Sequence, residues 1–86
     1  MQVQVSLFGA FREFEPAARI VVDVADGSCV ADLRRAVQAY AQAHWPAFRA
    51  GLLARSAFAS EDAVLRDGAP LPANGTMAVL PPVSGG

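Results

Sequence analysis

Apolar and polar residues alternate from Gln2 to Phe8: Val3, Val5 and Leu7 share one face, and Gln2, Gln4, Ser6 and Phe8 share the other. Period-two alternation is the pattern of a strand buried on one side, here with the valine face inward. Gly9 to Pro16 interrupts it as a connection with an apolar underside. Ala18 to Val24 is β-branched and aliphatic and reads as a second strand. Two strands joined by a short connection pair most simply as an antiparallel hairpin.

The period then changes. Asp26-Gly27-Ser28-Cys29 is a turn that feeds a helix. Val30, Leu33, Val37, Tyr40, Ala41 and His44 fall on one helical face, while Asp32, Arg34, Arg35, Gln38 and Gln42 lie elsewhere. Ser28 or Cys29 is the expected N-cap, with Asp32 supporting the cap or the helix dipole. Pro46 ends the helix, because the residue before a proline is pushed out of the helical region. Ala47 to Arg55 has room for a further helical turn or two. Ser56–Ser60 and Ala63–Arg66 read as short strands around a Glu61-Asp62 turn. Asp67-Gly68 and Asn74-Gly75 are turn dipeptides, and Ala69-Pro70-Leu71-Pro72 between them cannot be a central strand. Thr76 to Leu80 is the last strand, stopped by Pro81-Pro82. This inventory predicts a two-layer α+β sandwich, with one main helix across a mixed sheet. The first and last strands should lie parallel and adjacent in the middle.

Composition narrows the function. The 86 residues make one domain, and 53% apolar with 17% charged excludes a disordered chain. No run approaches the ~18 apolar residues of a membrane helix, so no membrane association is expected. Met1-Gln2-Val3-Gln4 carries neither a basic cluster nor an apolar core, so no signal peptide is expected and the cytoplasm is the default. A net charge of −1 argues against nucleic acid as a partner. One cysteine excludes an internal disulfide, and His44, the only histidine, has no ligand cluster around it, so no metal site is expected. Cys29 reads as a small apolar residue, Trp45 as a plug at the helix end, and Arg12 and Arg66 as solvating charges. All seven basic residues are Arg. Codon bias explains this, and it leaves no side-chain amine to attack an activated acyl group. With no Gly-rich phosphate loop and no nucleophile–base pair, the chain is not expected to be an enzyme by itself or to bind a cofactor.

The end of the chain carries the most information. Pro81-Pro82 removes two backbone donors and favours an extended neck. Gly85-Gly86 has no side chains, so it can thread a channel too narrow for any Cβ and deliver its carboxylate inside. The expected division is a folded domain over residues 1–81 and an extended, flexible tail over residues 82–86.

Leu80-Pro81-Pro82-Val83-Ser84-Gly85-Gly86, at the end of this strand order, resembles the ubiquitin-like sulfur carriers. Within them it looks closest to the small subunits of molybdopterin synthases. Leu7-Phe8-Gly9-Ala10-Phe11-Arg12-Glu13, Val30-Ala31-Asp32-Leu33, and Pro70-Leu71 with Asn74-Gly75 extend the likeness along the chain. The resemblance implies a β-grasp, or ubiquitin-like, fold. It further implies that an E1-like adenylyltransferase uses ATP to adenylate the Gly86 carboxylate, that sulfur then replaces AMP to leave a thiocarboxylate, and that the tail enters the large subunit of molybdopterin synthase in a heterotetramer. There the sulfur would pass to a pterin precursor. Hydrophobic residues at Phe8, Val64 and Leu80 would contact both partners, and Pro81, Pro82, Val83 and Ser84 would lie in their channels behind Gly85 and Gly86. Strand alternation independently places Phe8 and Leu80 on the outer face, beside the tail root. Ser60 stands where these carriers commonly have Asn, and Cys29 where they usually have a capping Thr. Carriage of sulfur to thiazole, cysteine or another thio-metabolite remains open on this reading. So do conjugation through Gly86 to lysines of target proteins and a binding module with an incidental Gly-Gly end.

Overall fold

The alternating N-terminal segment becomes β1 (Gln2–Leu7) in the computed structural model, which describes residues 1–82. A short helical turn at Gly9–Glu13 comes next, then β2 (Arg19–Asp23), α1 (Val30–His44), α2 (Ala50–Ala54), β3 (Ala57–Ala59), β4 (Val64–Leu65) and β5 (Thr76–Leu80). The strands form one sheet in the order β2-β1-β5-β3-β4. β1 pairs antiparallel with β2 and parallel with β5, with Val5 opposite Met77 and Leu7 opposite Val79. The β-grasp expected from the sequence is the fold observed, with the first and last strands side by side at the centre.

The inner face carries the core. Val3, Val5 and Leu7 of β1, Ile20 and Val22 of β2, Phe58 of β3, and Met77 and Val79 of β5 are buried against Val30, Leu33, Val37 and Ala41 of α1. Each fully buried side chain of this size contributes about 1.5–3 kcal/mol, so the helix is held by its apolar stripe more than by propensity. Trp45 closes one end as expected: it is buried, stacks on Phe14 at 5.0 Å, and donates its indole N–H to Glu15 at 3.0 Å. Tyr40 donates to the same carboxylate at 3.2 Å. Partial burial, and then the Glu15 charge, push the Tyr40 phenol above its usual pKa.

Several boundaries differ from the sequence reading. β2 begins at Arg19, not Ala18, because Ala18 sits at φ 58 and its carbonyl accepts the Leu7 amide. The left-handed conformation breaks the strand where an aliphatic pattern gives no warning. β3 and β4 lack the flanking residues assigned to them. Ser56 donates its hydroxyl to the Leu52 carbonyl and closes α2. The Ser60 amide donates to the Ala63 carbonyl across the turn between the strands, and the Arg66 carbonyl accepts the Ala69 amide in the next turn. His44 is exposed rather than on the buried face, tilted over Tyr40 with ring centroids 4.3 Å apart. The N-cap is Cys29, whose amide donates to Asp32 at 2.9 Å and whose thiol reaches the same oxygen at 3.4 Å. These two bonds, and after them the nearby Arg35 charge, hold the Asp32 carboxyl below its ordinary range.

Arg34, assigned to the polar side of the helix, is the largest departure. Its guanidinium donates to the carbonyls of Leu53 and Ser56 at 2.7 and 2.8 Å and to Asp67 at 2.8 Å, and lies over the Phe58 ring at 4.9 Å. The aliphatic stem covers apolar surface while the fork satisfies the carbonyls at the end of α2. Arg34 thereby ties α1 to the chain leading into β3.

Candidate functional site: the outer sheet face and the tail root

The strand registers also fix which residues face away from the helix. Ser6 pairs with Ala78, Ala78 with Ala59, and Ala59 with Val64, so one row across four strands is built of small side chains ending in a valine. Leu80 pairs with Ala57 in the next row. Phe8 comes directly after β1 with φ −126 and ψ 159, which carries the alternation one step further and keeps it on the outer face. Phe8 is 45% exposed and Val64 64% exposed, while Leu80 is half-buried. Small residues flanked by an aromatic leave a cleft of about 150 Å³ lined by Ser6, Phe8, Ala59, Ser60, Glu61, Thr76, Met77 and Ala78. Its lining is almost wholly apolar, and Glu61 at the rim is the one charged side chain among these residues.

Ser60 holds one rim. Its hydroxyl oxygen accepts the amides of Asp62 and Ala63, both at 3.2 Å. A side-chain oxygen closing a turn onto the next amides is the service an Asn also performs, so Ser at this position preserves the geometry. The turn keeps β4, and with it Val64, beside β3.

The tail leaves from the centre of the sheet. Pro81 comes directly after β5 and packs against Gly9, the first residue after Phe8. Gly9 has φ +57, and a Cβ there would come 2.6 Å from Pro81 Cγ. Only glycine satisfies both the left-handed turn and the close approach. Phe8, Leu80 and Pro81 are thus brought to one end of the molecule, as the sequence reading required, and Gly9 is the contributor that reading missed. A glycine directly after an alternating strand was the available signal. Pro82 is exposed. Val83, Ser84, Gly85 and Gly86, which carry the expected chemistry, lie outside the described residues.

Among the described residues no group of three His, Cys, Asp or Glu side chains is placed to hold a metal ion. Arg12 and Arg66 are exposed and make no ion pair among the described residues. No helix among those residues is long and apolar enough to cross a membrane. What the described residues do bring together is an exposed Phe8 and a half-buried Leu80 beside Pro81.

Comparison with known proteins bears on the fold and the family. No curated protein matches the chain. Nine chains of solved structures do. One is the crystal structure of SAMP1 from Haloferax volcanii, at TM-score 0.74 and 24% identity over 100% of both chains, a likeness that bears on the fold. A family model described as "ThiS family" matches residues 5–86, from within the first strand through the Gly-Gly end. The protein belongs to the ThiS family of ubiquitin-like sulfur carriers.

Proposed function

We propose that this carrier is the small subunit of a molybdopterin synthase, and that its tail, residues 82–86, donates sulfur from Gly86 to a pterin precursor. Membership of the family implies an E1-like activating enzyme as partner. That enzyme would bind Phe8, Val64 and Leu80 and draw Pro81, Pro82, Val83 and Ser84 into its channel. The Gly86 carboxylate would attack the α-phosphorus of ATP and release pyrophosphate. A persulfide sulfur would then displace AMP, and a thiol reductant would cleave the resulting acyl disulfide to leave the thiocarboxylate. Adenylation converts an unreactive carboxylate into an electrophile, and the thiocarboxylate is a good sulfur nucleophile at neutral pH. The partners would supply acid, base and ATP, while the carrier would supply position.

The observation that supports this reading is the join between strand and tail. The central strand β5 runs directly into Pro81-Pro82, Pro81 is braced by Gly9, and the exposed Phe8 stands alongside. A stiff root beside an apolar patch suits a partner that reads the patch and threads the chain beyond it. The test is reconstitution. Thiocarboxylated protein, mixed with the large synthase subunit and the pterin precursor, should yield the dithiolene product in proportion to carrier consumed. Sulfur transfer to a thiazole precursor or an activated amino acid, with none to the pterin, would replace the acceptor. Isopeptide adducts on target lysines would point instead to protein modification.

A further inference from the structure

A second concavity opens on the helical side of the sandwich. A cavity of about 410 Å³ is lined by Phe14, Ala47, Arg49, Gly51, Leu52 and Arg55. Its apolar wall is rigidly supported: Phe14 stacks on Trp45 and meets Phe48 edge-on at 6.3 Å. The only charged side chains lining it are Arg49 and Arg55, both exposed, and neither makes an ion pair among the described residues. Arg55 donates its Nε to the Gly51 carbonyl at 3.3 Å, which holds the guanidinium over the cavity's own backbone. The Glu15 carboxylate, next in sequence to Phe14, is taken by Trp45 and Tyr40. In a protein of net charge −1, this cleft therefore sets two arginines, unpaired among the described residues, beside an aromatic wall.

Its position is set by the topology. β1 and β5 are parallel, so both end at the same edge of the fold, where Phe8 and Pro81 lie. Phe14 comes after the turn that leaves β1 at that edge. α2 leads into β3, whose first residue Ala57 pairs with Leu80, the last residue of β5. The cleft and the Phe8–Leu80 patch thus share the tail end of the molecule, one on the helical side and one on the outer sheet face.

We propose that this cleft is a second docking point for the E1-like activating enzyme, receiving a segment of that enzyme with an Asp or Glu beside an aliphatic or aromatic side chain. The proposal rests on the carrier reading above. Guanidinium groups take carboxylates through paired, charge-assisted hydrogen bonds, and the apolar neighbour covers Phe14 and Leu52. An enzyme that acts on the terminus must approach this end of the fold. Contacts on two sides of the tail root fix the rotation of the carrier about its tail, which a single apolar patch does not.

The experiment is ATP–pyrophosphate exchange by the activating enzyme encoded in the same genome, measured against carrier concentration and NaCl. Charge reversal in Arg49→Glu/Arg55→Glu should raise the KM for carrier roughly tenfold with kcat little changed. Wild-type KM should climb with salt, and Arg49→Gln/Arg55→Gln should flatten that dependence. Thermal melts should coincide with wild type, because both side chains are exposed. Unchanged KM in both double variants, with a raised KM in Phe8→Ala, would overturn the cleft and leave the carrier reading standing. Absence of exchange with wild-type protein would overturn both. Benzoate binding to the cleft in an NMR titration, together with unchanged KM in the variants, would make it a small-anion site and also overturn the proposal.

Discussion

The two faces of the sheet are built from the same strands by alternate residues, and they are spent differently. On the inner face Val3, Val5, Phe58 and Val79 have no exposure at all. One step along each strand, Gln4, Ser6, Ala59 and Ala78 present small or polar groups, with Phe8, Val64 and Val21 standing exposed among them. The inner face carries the buried core, while the outer face leaves Phe8, Val21 and Val64 in contact with solvent. Substitutions should therefore separate cleanly, with stability moving on one face and partner affinity on the other.

The most damaging change should be Val5→Asp. It places an unpaired carboxylate at a position with no exposure, opposite Met77, in a small domain with little stability in reserve. Circular dichroism should show an unfolded chain, and a folded variant would mean the inner face is not the stabilising one. Next comes Gly9→Ala, at the seam between fold and tail. The left-handed turn alone costs about 1–2 kcal/mol, and the Cβ must push Pro81 aside. The melting temperature should fall, and adenylation by the activating enzyme should fall with it.

Phe8→Ala should leave the melt almost unchanged and weaken partner binding by about 1–3 kcal/mol, read by calorimetry. A destabilised Phe8→Ala protein would return Phe8 to the core and erase the contrast between the faces. The smallest effect lies away from both, at the start of α1. Asp32 is held below its ordinary pKa of 3.8, so its contribution to stability is present above that value and is lost as pH falls through the lowered one. The stability gap between wild type and Asp32→Asn, measured by melts from pH 7 to pH 2, should close below pH 3.8 and be steady above it.

Most of this contrast was legible in the sequence because strand alternation sorts the two faces directly. Val3, Val5 and Leu7 against Ser6 and Phe8 needed only the period of two. Parallel pairing of β1 with β5 came from topology, and the Gly-Gly end from chemistry. The features that escaped depended on contacts distant in sequence or on backbone conformation. Arg34 reads as a solvated helix charge until Leu53, Ser56 and Asp67, 19 to 33 residues away, are brought beneath it. Ala18 has the side chain of a strand residue and the φ of a turn. His44 fits the helical stripe by spacing, yet Trp45 takes the place beneath the helix end and leaves the imidazole outside. Gly9 was visible as a turn residue, but its role against Pro81 needed both ends of the chain.

The proposed function requires sulfur on Gly86. A fragment-resolved mass spectrum of the C-terminal peptide tests it directly, using protein from cells that also express the activating enzyme and a persulfide donor. Exchange of oxygen for sulfur has nearly the nominal mass of oxidising Met77, so the fragments must localise it to the last five residues. Sulfur on Gly86, lost on deleting that residue while the melt stays unchanged, should be found. A terminal carboxylate that stays fully oxygenated with a competent activating enzyme and sulfur source would contradict the account.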